Sequence, residues 1–244
     1  MILFLGDSLT WGQGLYYEEW YKKGISVDII NKSLPHRFPA ELLSYEDDLF
    51  RRENHFPNLV AKQFKKPYFT KYGNGGSNWD IIEILKTLPN HFNLYSNNIK
   101  PIDFGIIQLT DFMRGSEKRL TELEEINGKT EDNFKIIIDE QLDEMEELLK
   151  EYCPHYGFLS YMPDVSESIL KRNPQKLLNI YFQEKPFSCF YDLLKVNELN
   201  LKYTIPGCLD YHFNSFAHGV IATNIIDYIK SWNIKQNIFK NNIY

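Results

Sequence analysis

The amino-acid sequence predicts a three-layer α/β/α domain around a parallel β-sheet, and two kinds of observation predict it. A short unbroken apolar run at 2–5 and another at 104–109, interrupted only by Gln108, have the character of strands buried on both faces. Between such runs lie longer segments whose apolar residues recur at helical spacing, so strands and helices alternate along the chain. Strands joined through helices run parallel, and the helices then cover both faces of the sheet.

The first strand is Ile2-Leu3-Phe4-Leu5, stopped by Gly6. Phe56, Leu59, Val60 and Phe64 form a helical stripe with Pro57 in its first turn, and Pro67 halts the pattern before the strand-like Tyr68-Phe69-Thr70. Residues 79–88 read as a second helix, apolar at Trp79, Ile81, Ile82, Ile84, Leu85 and Leu88 and ended by Pro89. Phe104 to Leu109 is the third strand. The clearest helix spans 130–152, with Phe134, Ile137, Ile138, Leu142, Met145, Leu148 and Leu149 on one stripe, acids on a solvated face and Thr130 in the capping position. Residues 156–161 read as the fourth strand and 220–232 as a closing amphipathic helix. Two segments interrupt the alternation, 13–54 and 163–205, and each is expected to form either a lid or a packed subsidiary element. No repeat or linker divides the chain, so a single domain over 1–244 is expected.

Composition narrows the function classes. Of 244 residues, 27 are Lys or Arg and 33 are Asp or Glu, and the net charge of -6 disfavours nucleic acid and anionic membranes as partners. Cys153, Cys189 and Cys208 form no CxxC pair and read as reduced thiols. Met1 runs straight into the first strand, without a basic region or cleavage site, and no apolar run is long enough to cross a bilayer. A cytoplasmic location is therefore expected. Neither a Walker lysine, HExxH, GxGxxG nor GxSxG is present, so no metal or organic cofactor is expected. Tyr16, Tyr17, Trp20 and Tyr21 crowd together early in the chain, and such rings, apolar on the face and polar at the tip, suit a sugar, a core or a protein interface equally.

In open parallel sheets the working surface lies at the C-terminal strand ends. The first strand ends in Gly6-Asp7-Ser8-Leu9-Thr10-Trp11-Gly12, which puts the Ser8 hydroxyl just past a glycine turn where a following helix would aim free N–H groups. A serine nucleophile needs a base, and the base needs an orienting acceptor. Near the C-terminus, Asp210 stands two residues before His212 in a turn-rich loop ahead of the last helix. His218 competes with His212, but at the start of that helix packing or capping explains it better. Asp7 is expected to hold backbone N–H groups of its turn.

These motifs resemble the GDSL, or SGNH, hydrolase superfamily: Gly6-Asp7-Ser8-Leu9 matches the nucleophile block and Asp210 with His212 the last block. The resemblance implies a flavodoxin-like sheet and a serine ester hydrolase, an esterase working through an acyl-enzyme on a small-molecule or glycan ester. Ser8 would be nucleophile, His212 base and Asp210 its orienter. The oxyanion hole would combine the backbone N–H groups of Ser8 and of Gly76, from Asn74-Gly75-Gly76-Ser77-Asn78, with Thr110. Gly75 is the alternative to Gly76; Asn78, Trp11, Trp79 and Arg114 are candidates for substrate contact. Two departures stand out: Thr110 occupies the family's asparagine place, and Leu209 occupies the usual aspartate place. An O-acetylated carbohydrate is the preferred substrate, with an acyltransferase or a catalytically inactive binding module as the other readings.

Overall fold

The computed structural model describes residues 1–33, 44–72, 76–90, 102–153, 155–182, 184–196, 204–205, 207 and 212–236. Four strands, β1 (Ile2–Gly6), β2 (Tyr68–Tyr72), β3 (Phe104–Leu109) and β4 (Tyr156–Ser160), form one sheet in the order β2-β1-β3-β4. All three pairings are parallel, with Leu3 opposite Phe69 on one side and Gly105 on the other. This is the predicted architecture, with each strand within two residues of its expected bounds.

The two faces of the sheet are packed separately because strand side chains alternate. Ile2 and Phe4 of β1, with Phe104 and Ile106 of β3, join the core formed with Phe56, Val60 and Phe64 and with Ile221, Ile225 and Ile229. Leu3, Leu5, Ile107 and Leu109 point the other way, against Ile82, Leu85, Ile138, Met145 and Leu149. Every residue of β1 and β3 is buried, as a central strand between two helical layers requires. Each such apolar side chain contributes about 1.5–3 kcal/mol by leaving water.

The helices over the first face are α5 (Phe56–Phe64) and the last helix, α11 (Ser215–Gln236); α6 (Asn78–Lys86) and α8 (Asp132–Tyr152) cover the other. A helix at Glu117–Asn127 (α7) precedes α8 and was not evident in the sequence, because its face carries few apolar residues and only Leu123 is buried. Thr130 does not cap α8. That helix starts without a side-chain cap, and Asn133 instead donates to the Gly128 carbonyl at 2.8 Å. Cys153 and Cys189 are free and buried; Cys208 lies outside the described residues.

The two long segments are packed elements where they are described. A short helix, α1 (Ser8–Trp11), directly follows β1, and the first segment contains α2 (Gln13–Lys22), α3 (Val27–Ser33) and α4 (Tyr45–Asn54). The second contains α9 (Pro163–Arg172), an antiparallel hairpin of β5 (Ile180–Phe182) and β6 (Lys185–Phe187), and α10 (Phe190–Lys195). Its Ile180, Phe187, Phe190 and Leu193 belong to the first core. The aromatic cluster expected to face a sugar lies largely inside: Tyr16, Tyr17 and Trp20 are buried and Tyr21 alone is exposed. Among the described residues no helix is long and apolar enough to cross a membrane.

Candidate active site

The chain leaves β1 toward β2 on one side and returns to β3 on the other, so the strand order reverses between β1 and β3, and in open parallel sheets ligands bind outside the C-terminal strand ends at such a reversal. Ser8 follows β1 there and Thr110 follows β3. The turn carrying Ser8 is fixed by three hydrogen bonds. Asp7 caps α1 by accepting from the Leu9 N–H at 2.8 Å, the role expected of it. Fully buried Gln108 reaches across from β3, and its Oε1 accepts from the Asp7 N–H and the Thr10 hydroxyl, each at 3.1 Å. Gly6 keeps this crossing open, since a Cβ there would overlap the Thr10 hydroxyl and stand 2.8 Å from Gln108 Oε1.

To Ser8 the chain brings His212 from the segment before α11. Its Nε2 lies 2.6 Å from Ser8 Oγ, although 204 positions separate the two residues. In the tautomer with Nε2 unprotonated, the Ser8 O–H donates to the ring, and the imidazole is then placed to take that proton. Ser8 itself is 7% exposed, so little of it meets solvent.

Thr110, directly after β3, is buried, and its hydroxyl makes no hydrogen bond among the described residues. Its backbone N–H donates to Asn78 Oδ1 at 2.9 Å. Asn78 Nδ2 donates in turn to Gln141 Oε1 at 2.9 Å. Asn78, a candidate for substrate contact, is therefore buried with both ends of its amide engaged within the protein, and it braces Thr110. Exposed Arg114 donates to the Gly76 carbonyl at 3.2 Å, tying the Gly76 loop to the segment after β3. Trp79 directs its indole N–H to Ser116 at 2.9 Å, and Trp11 packs against Tyr16 and under the Arg51 guanidinium. Both rings are thus held by intramolecular partners. Asp210 and Gly75 lie outside the described residues.

Sequence reasoning passed over what holds His212. The segment 13–54 looked like an unmatched insertion, yet α2 is the surface against which the histidine segment lies. Gly14 lets the two backbones close, because a Cβ there would overlap the Phe213 carbonyl oxygen and stand 2.8 Å from that of His212. The Tyr17 ring meets the His212 ring edge-on, with centroids 6.4 Å apart. Helical spacing puts Gly14 and Tyr17 on one face of α2, but no pattern in the sequence pairs that face with a residue about 200 positions away.

Two further histidines lie beneath the site. His218 is fully buried, stacked on Phe56, and its Nδ1 accepts from the Phe56 N–H at 3.2 Å. His55 lies within hydrogen-bonding distance of the Tyr68 hydroxyl, 3.2 Å from Nε2. Burial pushes the pKa of both down to about 3, with the Arg51 charge adding to the effect at His55, so both are neutral in the ordinary range. His218 is a packing residue, as expected from its place in the helix.

No protein-family model and no curated protein matches the chain. Among solved structures, it is similar to a carbohydrate esterase at 17% identity and a TM-score of 0.48, covering 94% of this chain and 64% of that one. It is also similar to a catalytic mutant of an acetylxylan esterase from Geobacillus stearothermophilus at 12% identity and a TM-score of 0.43, covering 93% of both chains. A third likeness is to a protein assigned to the G-D-S-L lipolytic family from Desulfitobacterium hafniense, at 9% identity and a TM-score of 0.41, covering 93% of this chain and 98% of that one. These values are too low to transfer an activity.

Proposed function

We propose that the protein is a carboxylic ester hydrolase acting through an acyl-enzyme on Ser8. The observation that carries this reading is the 2.6 Å approach of Ser8 Oγ and His212 Nε2 at the strand-order reversal. His212 takes the hydroxyl proton as Ser8 attacks the ester carbonyl, and Asp210 orients the ring. The tetrahedral oxyanion accepts hydrogen bonds from the Ser8 and Gly76 N–H groups and from the Thr110 hydroxyl. His212 then protonates the departing alcohol, and a water molecule, activated by the same ring, releases the acid and restores Ser8. The free Thr110 hydroxyl supports its assignment, since no other described group claims it.

The buried aromatic cluster withdraws the argument for a sugar, so the reading rests on the ester bond. Deacetylation of an O-acetylated carbohydrate remains the first substrate class to try. Pre-steady-state hydrolysis of 4-nitrophenyl acetate tests the mechanism. A burst of nitrophenolate stoichiometric with the protein, lost in Ser8→Ala, is expected; equal hydrolysis by wild type and Ser8→Ala overturns the reading. Acetate release from acetylated xylan oligosaccharides tests the narrower substrate. No release, from protein active on the nitrophenyl ester, removes the carbohydrate and leaves the esterase.

A further inference from the structure

Helix α11 begins three residues after His212, and its start carries two acceptors where one is usual. Asn214 is the ordinary cap: its Oδ1 accepts from the Ala217 N–H at 3.0 Å. The second acceptor comes from another element. Glu18 of α2 receives the Ser215 N–H at 2.6 Å on one carboxylate oxygen and the Ser215 hydroxyl at 2.7 Å on the other. A carboxylate is well suited to this place, since the first N–H groups of a helix are unpaired and its dipole favours negative charge. Yet the local cap already serves the helix. What Glu18 adds is a tether across 197 positions, from the segment after His212 to α2.

That tether has a rigid origin. Residues 8–22 run continuously from Ser8 through α1 and α2, joined at Gly12, which ends one helix and begins the other. Arg51 clamps the junction by donating to the Trp11 carbonyl at 2.9 Å and to the Tyr16 hydroxyl at 3.0 Å. Ser8 and Glu18 therefore belong to one braced unit, and Gly14, Tyr17 and Glu18 share the helix face that meets His212 and the residues after it. Lys22 pairs with Glu18 at 2.7 Å on the exposed side.

We propose that Glu18 is a positioning residue: by binding Ser215 it fixes His212 against α2 and so sets the distance between the imidazole and Ser8. The inference rests on the esterase reading for its consequence in catalysis, but the tether itself is a statement about His212. Displacement of a reacting group by about 1 Å can cost about a hundredfold in rate. The helix supplies its own control. Asn224, in the middle of α11, accepts from the Tyr181 N–H at 2.9 Å and donates to the Val220 carbonyl at 2.8 Å, far along the helix from His212.

The test compares Glu18→Ala, Glu18→Gln and Asn224→Ala by 4-nitrophenyl acetate kinetics, thermal unfolding and 15N spectra of the His212 imidazole. Glu18→Ala is expected to lower kcat at least about tenfold with KM within about twofold, and Glu18→Gln, which keeps an acceptor for Ser215, to recover most of the loss. Asn224→Ala is expected to lower Tm while keeping kcat within about twofold. The His212 ring nitrogens should move toward tautomer-averaged shifts in Glu18→Ala alone. Unchanged kcat and unchanged His212 shifts in Glu18→Ala overturn the proposal, as does an equal loss of kcat in Asn224→Ala. Should wild type lack esterase activity, the esterase reading fails. The spectra then decide the tether: averaged shifts in Glu18→Ala support it and unchanged shifts overturn it.

Discussion

Replacing Gln108 by leucine removes the acceptor that joins β3 to the nucleophile turn while nearly conserving side-chain volume. Two donors then lose their partner in a region closed to water: the Asp7 N–H, in a residue 5% exposed, and the Thr10 hydroxyl, in one 1% exposed. The Leu109 carbonyl, which accepts from Gln108 Nε2 at 3.1 Å, keeps the Tyr161 N–H at 2.9 Å and adds little to the cost. A buried donor left unsatisfied costs about 1–3 kcal/mol, so Gln108→Leu should destabilise by about 2–6 kcal/mol. Urea unfolding measures it, with an unchanged m-value showing that the unfolded reference has stayed the same. A cycle with Thr10→Val isolates the cause, because deleting the Thr10 hydroxyl should harm wild type more than Gln108→Leu, where that hydroxyl is already unpaired. A loss below about 1 kcal/mol, or strict additivity in the cycle, would refute the bridging role of this amide.

Three other outcomes are expected. Thr110→Val keeps the shape of the side chain and removes its hydroxyl, so ester turnover should fall by about two orders of magnitude; an unaltered turnover takes Thr110 out of the oxyanion hole. Arg114→Ala should leave urea stability unchanged, the guanidinium being exposed, and reduce kcat modestly by loosening the Gly76 loop; equal kcat in variant and wild type shows that this contact contributes nothing. His55 and His218 have folded pKa values of about 3, below the unfolded value of 6.5, so their contribution is complete above pH 6.5 and is lost as pH falls toward 3. Each should then cost about 1.4 kcal/mol per pH unit in that window. Urea midpoints taken between pH 7.5 and 4.5 should decline accordingly, and a flat profile contradicts the burial of these rings as neutral groups.

The central strands β1 and β3 were legible in the sequence because they are buried on both faces and so are almost wholly apolar, whereas β2, half-buried at the sheet edge, was marked by Pro67 ahead of the strand-like Tyr68-Phe69-Thr70. The helix at 117–127 was not, since a helix resting on the surface through little more than Leu123 leaves a weak periodic signal. That Ser8 and His212 meet was anticipated from the turn residues around each and from the resemblance those motifs carry. Their supports were not. Gln108 looks like any polar residue at a strand end, and only the strand order brings it under Asp7. Glu18 belongs to a stretch of charged and aromatic residues, and the partner that gives it meaning lies near the other end of the chain. Asn78 misled because an amide near a glycine turn resembles a ligand contact, whereas here Gln141 and the Thr110 backbone claim both of its ends. The aromatic cluster misled for a related reason, since rings that suit sugars also fill cores.

The most direct test of the paired hydroxyl and imidazole is covalent labelling with a fluorophosphonate, read by intact mass and peptide mapping. One adduct per chain on Ser8 is expected, absent from Ser8→Ala and formed far more slowly in His212→Ala. Labelling of another residue, or equal rates in wild type and His212→Ala, would contradict the account.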